Sequence, residues 1–460
     1  MCRLRPHRAQ GNCSAAASLS RTPLIVLCRQ CRRSLGALPA MKWPARVLAA
    51  ATGLFGIKPP STVHIVGDTY LDVIAKIQDL PKWDGDTSIR SPIETVCGGS
   101  ALNTAAQLSA LLRTRRQRGQ QRPFRRCVLH SRLGADLYGD LVAKRIREVG
   151  VTLAGRRSGG QGVCICLSGQ QDRAFVSFKG SVADFCEADL DVDKLFGPST
   201  SHVHFSAYYD CSGLQPAVPR LMQRAKAECG ATISIVPQTD SAGKWRGGLK
   251  ELLPLVDVLI CNQREAAAIA GVGLAGRRPN WSEMDEIMRT LHTAGAPLVV
   301  VTLGADGALA ASPDAWWFQP TQPSRTVDTT GAGDAFAAGF LFGWCGSRDV
   351  QRGLVYGCAC GSAVVEQIGG SRPLDATQVD TTMRRNEGVT LHGDFLSSVD
   401  VIKEYLNHDP DDLLEEGTLV DTLNGFLVDC KTSGLLRAGA AGAMPVEAMA
   451  IGMVERNESL

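Results

Sequence analysis

The segment Asp328-Thr329-Thr330-Gly331-Ala332-Gly333-Asp334-Ala335-Phe336 has the residue types and spacing that most directly imply chemistry. Small residues ahead of the apolar run Ala337 to Trp344 leave backbone N–H groups aimed outward at a helix start. The helix dipole adds partial positive charge there, so the turn suits an anion such as a transferring phosphoryl group. Asp334 sits at the rim of that anion site. A carboxylate there repels phosphate unless it has a task, and taking a proton from an incoming hydroxyl is the task that fits. The ordinary alternative is a helix N-terminus with a capping aspartate.

A second turn, Cys97-Gly98-Gly99-Ser100-Ala101-Leu102-Asn103, also leads into a helix-forming stretch. Paired glycines let backbone approach a ligand closely, and Asn103 offers a donor and an acceptor, which suits a polyol. Upstream, Asp72 follows the first β-rich run, where the carboxyl end of a parallel strand presents ligand groups, and a carboxylate accepts two sugar hydroxyls. Taken singly, Asp72 and Asn103 also read as turn and cap residues.

The elements that must position these residues alternate β-rich runs with amphipathic stretches, the pattern of a mostly parallel sheet covered by helices on both faces. Strands are expected at Thr62 to Val66, Cys127 to Leu133, His202 to Ser206, Thr232 to Val236, Val256 to Cys261 and Leu298 to Leu303. Helices are expected over Ala101 to Leu112, Leu137 to Val149, Leu214 to Cys229, Ser282 to Ala294 and Ala332 to Trp344. Two segments break the alternation and read as a small β-lid: 86–96 and 162–179, the latter around the turn Gly169-Gln170-Gln171-Asp172. The stretch Arg113 to Arg126, with seven arginines, is expected to be a solvated loop; a nucleic-acid patch would need aromatic interleaving.

Composition bounds the rest. With 44% hydrophobic and 21% charged residues in 460, the chain is globular rather than collagen-like, disordered or coiled-coil. The net charge of +3 gives no reason to expect nucleic acid or an anionic membrane, and no apolar run is long enough to span a bilayer. Sixteen scattered cysteines read as reduced thiols, and the isolated Cys28/Cys31 pair has no partners for zinc. Residues 1–60 form a basic leader: from Met1 to Gly67 there are ten Lys or Arg and no Asp or Glu. A transit peptide would place the protein in a mitochondrion or plastid; the alternative is a disordered leader, or one that precedes a true translation start at Met41, and then a cytoplasmic location. A third reading makes Val47 to Ile57 the core of a secretory signal. Residues 374–460 form an extension with sixteen acidic residues, in which Val399, Ile402, Tyr405 and Leu406 have helical spacing and Gly434 to Ala443 is Gly/Ala-rich.

In this order the motifs resemble the ribokinase-like, or PfkB, family of carbohydrate kinases. Gly98 to Asn103 is similar to the family's N-terminal Gly-Gly-x-x-x-Asn signature, and Asp328 to Phe336 to its C-terminal signature. Between them, Gly134 to Gly139, Asn262 to Glu265 and Thr302 to Gly307 resemble its other turns, so the likeness covers a kinase domain at 61–373. The resemblance implies a three-layer α/β/α sandwich with a mostly parallel central sheet and a β-lid. It implies transfer of the ATP γ-phosphoryl group to a sugar hydroxyl, with Asp334 as base and the Gly331-Ala332-Gly333 backbone as anion hole. Asp72, Gly98, Gly99 and Asn103 would hold the sugar. Asn262, Glu265, Thr302, Gly304 and Gly307 would serve the nucleotide, with Glu265 reaching Mg²⁺ through water and Asp328 a ligand for K⁺ in some members. The lid would exclude water and, in some members, pairs two copies into a dimer.

Three readings stay open at this level: a kinase for a free sugar, a kinase of the same family for a nucleoside or sugar phosphate, and a catalytically silent scaffold. A nucleoside needs an aromatic or apolar stacking surface; a sugar phosphate needs lid cations such as Arg90, Arg173 or Lys179.

Overall fold

The computed structural model describes residues 61–80, 83–89, 91–168, 173–245, 247–321, 325–386 and 391–394. Along the chain, β1 (Thr62–Val66) leads to β2 (Tyr70–Lys76), β3 (Glu94–Gly98) and helix α1 (Ser100–Gln117). Next come β4 (Arg126–His130), α2 (Leu137–Glu148), β5 (Thr152–Ala154), β6 (Val163–Ser168) and β7 (Arg173–Phe178). Then follow β8 (Thr200–Ser206), α3 (Val218–Cys229), β9 (Thr232–Val236), β10 (Val258–Asn262), α4 (Gln263–Ala270), α5 (Trp281–Thr293) and β11 (Val299–Thr302). The last elements are β12 (Ala308–Ala311), β13 (Ala315–Gln319), α6 (Ala332–Ser347), α7 (Val350–Val364), α8 (Ala376–Asn386) and β14 (Leu391–Asp394).

Ten strands make the main sheet, in the order β14-β13-β12-β11-β10-β9-β8-β1-β4-β5. From β11 through β5 every pairing is parallel, and β12, β13 and β14 close the other edge antiparallel. The strands are buried on both faces because helices cover both, and the polar side chains on β1, β4, β8 and β9, among them His64, His130, His202, His204 and Ser234, are buried in hydrogen-bonded pairs. On one face Val203, Phe205, Ile233, Ile235 and Val299 pack on Leu221, Met222 and Ala225 of α3 and on Ile287 and Leu291 of α5. On the other, Val63, Ile65 and Leu129 meet Leu102 and Ala105 of α1, while Ile260, Val300 and Ala310 meet Phe336, Phe340 and Trp344 of α6. Each fully buried Val, Leu, Ile, Phe or Met among them contributes about 1.5–3 kcal/mol relative to exposure. The result is the expected three-layer α/β/α sandwich.

A second sheet, β3-β2-β6-β7, forms the lid. Its composition corrects one expectation. The lid strand sought at 86–96 is confined to β3, and Asp72, expected just past the end of the first strand, instead lies within the lid strand Tyr70–Lys76 between β3 and β6. Asp72 interrupts the apolar run Tyr-Leu-Asp-Val-Ile-Ala, which hid the strand; its side chain faces the cleft between the sheets, close to Gly98 and Asn103.

Two further stretches differ from expectation. Arg113 to Gln117 continue α1, because basic residues in a last turn complement the helix dipole. Arg115 donates to the Tyr356 hydroxyl at 2.8 Å and to Asp380 of α8 at 2.9 Å, and Arg118 also pairs with Asp380. Beyond residue 373, α8 packs on α7, and β14 pairs with β13. The leader, the Gly169 to Asp172 turn, Arg90 and the stretch carrying Val399 to Ala443 lie outside the described residues.

Candidate active site

Parallel α/β sheets present ligand groups beyond the carboxyl ends of their strands. Asp68 follows β1, Ser206 ends β8, Gln238 and Thr239 follow β9, and Asn262 and Thr302 stand opposite each other at the ends of β10 and β11. The start of α6 meets this edge. Gly331 caps α6 with φ +78°, a conformation that favours glycine, and a side chain on it would strike Gly370. A Cβ on Gly333 would meet nothing within 4 Å, so the first turn of α6 faces open space there; the Ala332 N–H donates to the Thr329 carbonyl at 3.2 Å, and the other first-turn N–H groups have no partner within the helix.

Asp334 lies in that first turn and is buried at 7% exposure. Its Oδ1 accepts from the Ser100 hydroxyl at 2.7 Å and from Gln238 Nε2 at 3.4 Å, and its Oδ2 accepts from Asn103 Nδ2 at 2.7 Å. Burial pushes the carboxyl above its ordinary range, and the bonds from Asn103 and Ser100 oppose that shift by favouring the charged form. A capping aspartate would bond its own helix's N–H groups; this one is held by donors from other elements.

Asn103 completes the acceptor side. With its amide N–H spent on Asp334, its Oδ1 is buried without a hydrogen-bond partner, which a ligand hydroxyl would satisfy. A Cβ on Gly98 would lie 2.5 Å from Asp72 Oδ2 and 3.9 Å from Asn103 Oδ1, so the glycine leaves the gap in which those two polar groups converge. Gly99 precedes α1 as its N-cap. Burial, with the Asp328 charge as a smaller contribution, pushes the Asp72 carboxyl up to about 7. Asp72, Gly98, Gly99, Asn103, Gly331, Ala332, Gly333 and Asp334 therefore gather around one cleft.

Asp328 is 9% exposed and accepts from Thr330 N–H at 2.9 Å and Gly369 N–H at 3.2 Å, fastening the α6 turn to the segment after α7. On the nucleotide side, Asn262 and Glu265 form a capping box at the start of α4: Asn262 Oδ1 accepts from Glu265 N–H at 2.9 Å, and Glu265 accepts from Asn262 N–H at 3.1 Å. Thr239 donates to Glu265 at 3.1 Å. Burial and the neighbouring Asp334 charge push the Glu265 carboxyl up, a cost that a divalent cation would offset. Gly304 opens the turn from β11 to β12, and Gly307 closes it by accepting from Leu303 N–H at 2.9 Å. Neither glycine contacts the Asp334 cluster. Among the described residues no three His, Cys, Asp or Glu side chains form a ready-made metal cage.

Several groups in this site carried no sequence signal of their own. Asp68 accepts from the N–H groups of Ser100 and Ala101 at 3.0 and 2.8 Å, tying β1 to α1, and burial pushes its carboxyl up to about 7. Lys179, by contrast, was named from the sequence as a lid cation; at the end of the lid it pairs with Asp210 at 2.8 Å and donates to Ser241 at 3.3 Å. Gln238 and Asp210 lie in loops whose placement depends on the sheet order, so local pattern could not find them.

Comparison with known proteins extends these observations. The family model described as pfkB family carbohydrate kinase matches residues 61–377. The ATP-dependent ribose-1-phosphate kinase of Halopiger xanaduensis is 29% identical over 305 residues, covering 66% of this chain and 91% of that protein. The structure of Arabidopsis thaliana ribokinase complexed with ribose and ATP aligns with TM-score 0.59 at 22% identity, covering 71% of this chain and 99% of that one. An E. coli protein solved with ATP and Mg²⁺ aligns with TM-score 0.58 at 21% identity, covering 71% and 99%. At those identities the two structures establish a shared ribokinase-like fold. With the family model spanning the sandwich, the lid and the cleft between them, the chain belongs to the pfkB family of carbohydrate kinases.

Proposed function

We propose that the protein transfers the γ-phosphoryl group of ATP to a hydroxyl of a sugar-type acceptor, with Asp334 as general base. The observation that carries this reading is Asp334 at the open first turn of α6, held by Ser100 and Asn103 beside the unsatisfied Asn103 Oδ1. The acceptor's hydroxyl proton passes to Asp334. Its oxygen forms a bond to the γ-phosphorus as the bond to the β–γ bridging oxygen breaks, releasing ADP. Backbone N–H groups of Gly331 to Gly333 cover the charge on the transferring group, and Asp72 with Asn103 orients the acceptor.

Glu265 fits Mg²⁺ in the way expected of a cation that takes one or two carboxylates, substrate phosphates and water. When bound, Mg²⁺ neutralises charge on the donor phosphates. Thr302, Gly304 and Gly307 border the proposed nucleotide side at the end of β11. Asp328, placed between the α6 turn and Gly369, is the residue a K⁺ ion would use. A phosphorylated sugar is a second acceptor class, favoured by the ribose-1-phosphate kinase among the relatives and by Lys179 at the lid. The lid also exposes Ile165, Phe175, Val176 and Phe178, an apolar surface suited to pairing with a second copy. Acceptor-dependent ADP release across free sugars, nucleosides and sugar phosphates tests the reaction; sedimentation of wild type against Phe178→Ser tests the dimer.

A further inference from the structure

One face of α1 is turned wholly toward catalytic parts of the molecule. Ser100, Asn103, Thr104 and Gln107 recur at helical spacing and are all buried, with exposures of 4%, 4%, 0% and 0%. Thr104 donates to the Asp334 carbonyl at 3.3 Å. Gln107 donates to the carbonyls of Gly370 and Arg372 at 2.5 and 2.8 Å and accepts from Leu374 N–H at 3.0 Å, clamping the segment against which Gly331 rests. Ser100 is the most tightly fixed of the four. Its N–H donates to Asp68, its hydroxyl donates to Asp334 Oδ1, and the Ser206 hydroxyl lies 2.7 Å behind it.

We propose that Ser100 is a positioning residue for the base: with Ser206 donating to it from behind, its hydroxyl holds Asp334 ionised and aimed at the acceptor. This rests on the reading of Asp334 as general base. Because the Ser100 hydrogen is committed to Asp334, the hydrogen between the two serines must come from Ser206, which gives the pair one direction. Ser206 is 2% exposed, and among the described residues no further side chain extends the chain beyond it. The pair therefore orients a carboxylate and does not carry a proton to water. Asp334 in turn acts on two neighbouring carboxyls, Asp68 from the loop after β1 and Glu265 from α4, its charge disfavouring their ionised forms. Burial is what disfavours the charged form of Asp334 itself, and Ser100 and Asn103 are the donors that oppose it.

The test is a titration of Asp334 by carbon NMR of protein labelled at aspartate carboxyl carbons, its resonance identified by loss in Asp334→Asn. Removing a hydrogen bond to a charged group in Ser100→Ala should raise the midpoint by about one pH unit and move the acid limb of the kcat–pH profile by the same amount. An unmoved midpoint in folded Ser100→Ala overturns the proposal. Should Ser100→Ala fail to fold, Ser206→Ala should raise the same midpoint by a smaller amount, and no shift there overturns it equally. Failure of the underlying reading looks different: it is full turnover in Asp334→Asn, whatever the midpoints do.

Discussion

Asn103 Nδ2 donates to Asp334 Oδ2 at 2.7 Å, joining residues 231 positions apart in the chain. The contact makes the acceptor-side helix and the phosphate-side helix one unit. A single asparagine orients the proposed base with its amide N–H and keeps its oxygen for the acceptor, so acceptor binding and base alignment are coupled through one side chain.

Asp72 should make acceptor affinity depend on pH. Its carboxyl is pushed up to about 7, and only the ionised form accepts two hydroxyls. Acceptor binding measured by calorimetry in the Asp334→Asn background should strengthen as pH rises from 6 to 8 and weaken about tenfold per unit below 7. Asp72→Asn should bind at least roughly tenfold more weakly, without that dependence. A flat profile for the Asp72 protein contradicts the assignment.

Buried histidines give a second pH effect. His64 Nδ1 and His130 Nε2 lie 2.9 Å apart on β1 and β4, and burial lowers them to about 4 and about 3. Both are neutral in the folded chain, whereas the unfolded chain takes up protons below about 6.5. The stability they support is thus present above 6.5 and is lost as pH falls toward 4. Asp68 and Asp72, both raised to about 7, act in the opposite direction, so the comparison must be with a variant that retains them. The advantage of wild type over His64→Gln in urea unfolding should shrink by about 3 kcal/mol between pH 6.5 and 4. A constant difference contradicts it.

What was legible in the sequence was what short segments encode. The Asp328 to Phe336 turn carries its own physics in its small residues and following apolar helix, and the parallel strands announce themselves as β-branched runs. Asp72 was found as a residue but misplaced, because a carboxylate within an apolar run looks like a strand end until the cleft it faces is known. Ser206, Gln238 and Asp210 were invisible for a different reason: their relevance comes from the order of β8, β1 and β9 in the sheet, which only packing sets. The arginines of 113–118 looked like a solvated loop because their partners, Tyr356 and Asp380, lie far along the chain.

The Lys179–Asp210 pair joins the lid to the main sheet. Lys179→Ala should raise acceptor KM several-fold and increase ATP hydrolysis relative to acceptor phosphorylation, because a loosened lid admits water. Quantifying ADP and phosphorylated product in the same reaction checks it; an unchanged ratio means that the pair does not hold the lid.

The Arg115–Asp380 contact, with side-chain exposures of 18% and 16%, should stabilise the docking of α8. A double-mutant cycle with Arg115→Ala and Asp380→Ala should return a coupling of about 1 kcal/mol, with activity retained in both variants. Zero coupling would show that the Arg115–Asp380 contact does not hold α8 in place.

Whether Asp334 is the base for acceptor phosphorylation is decided by a coupled ADP-release assay with Mg-ATP on free sugars, nucleosides and sugar phosphates, run on wild type and Asp334→Asn side by side. Wild type should show acceptor-dependent turnover, and Asp334→Asn a loss of at least roughly 10²-fold in kcat with folding and nucleotide binding intact. Near-normal turnover by Asp334→Asn would contradict that role.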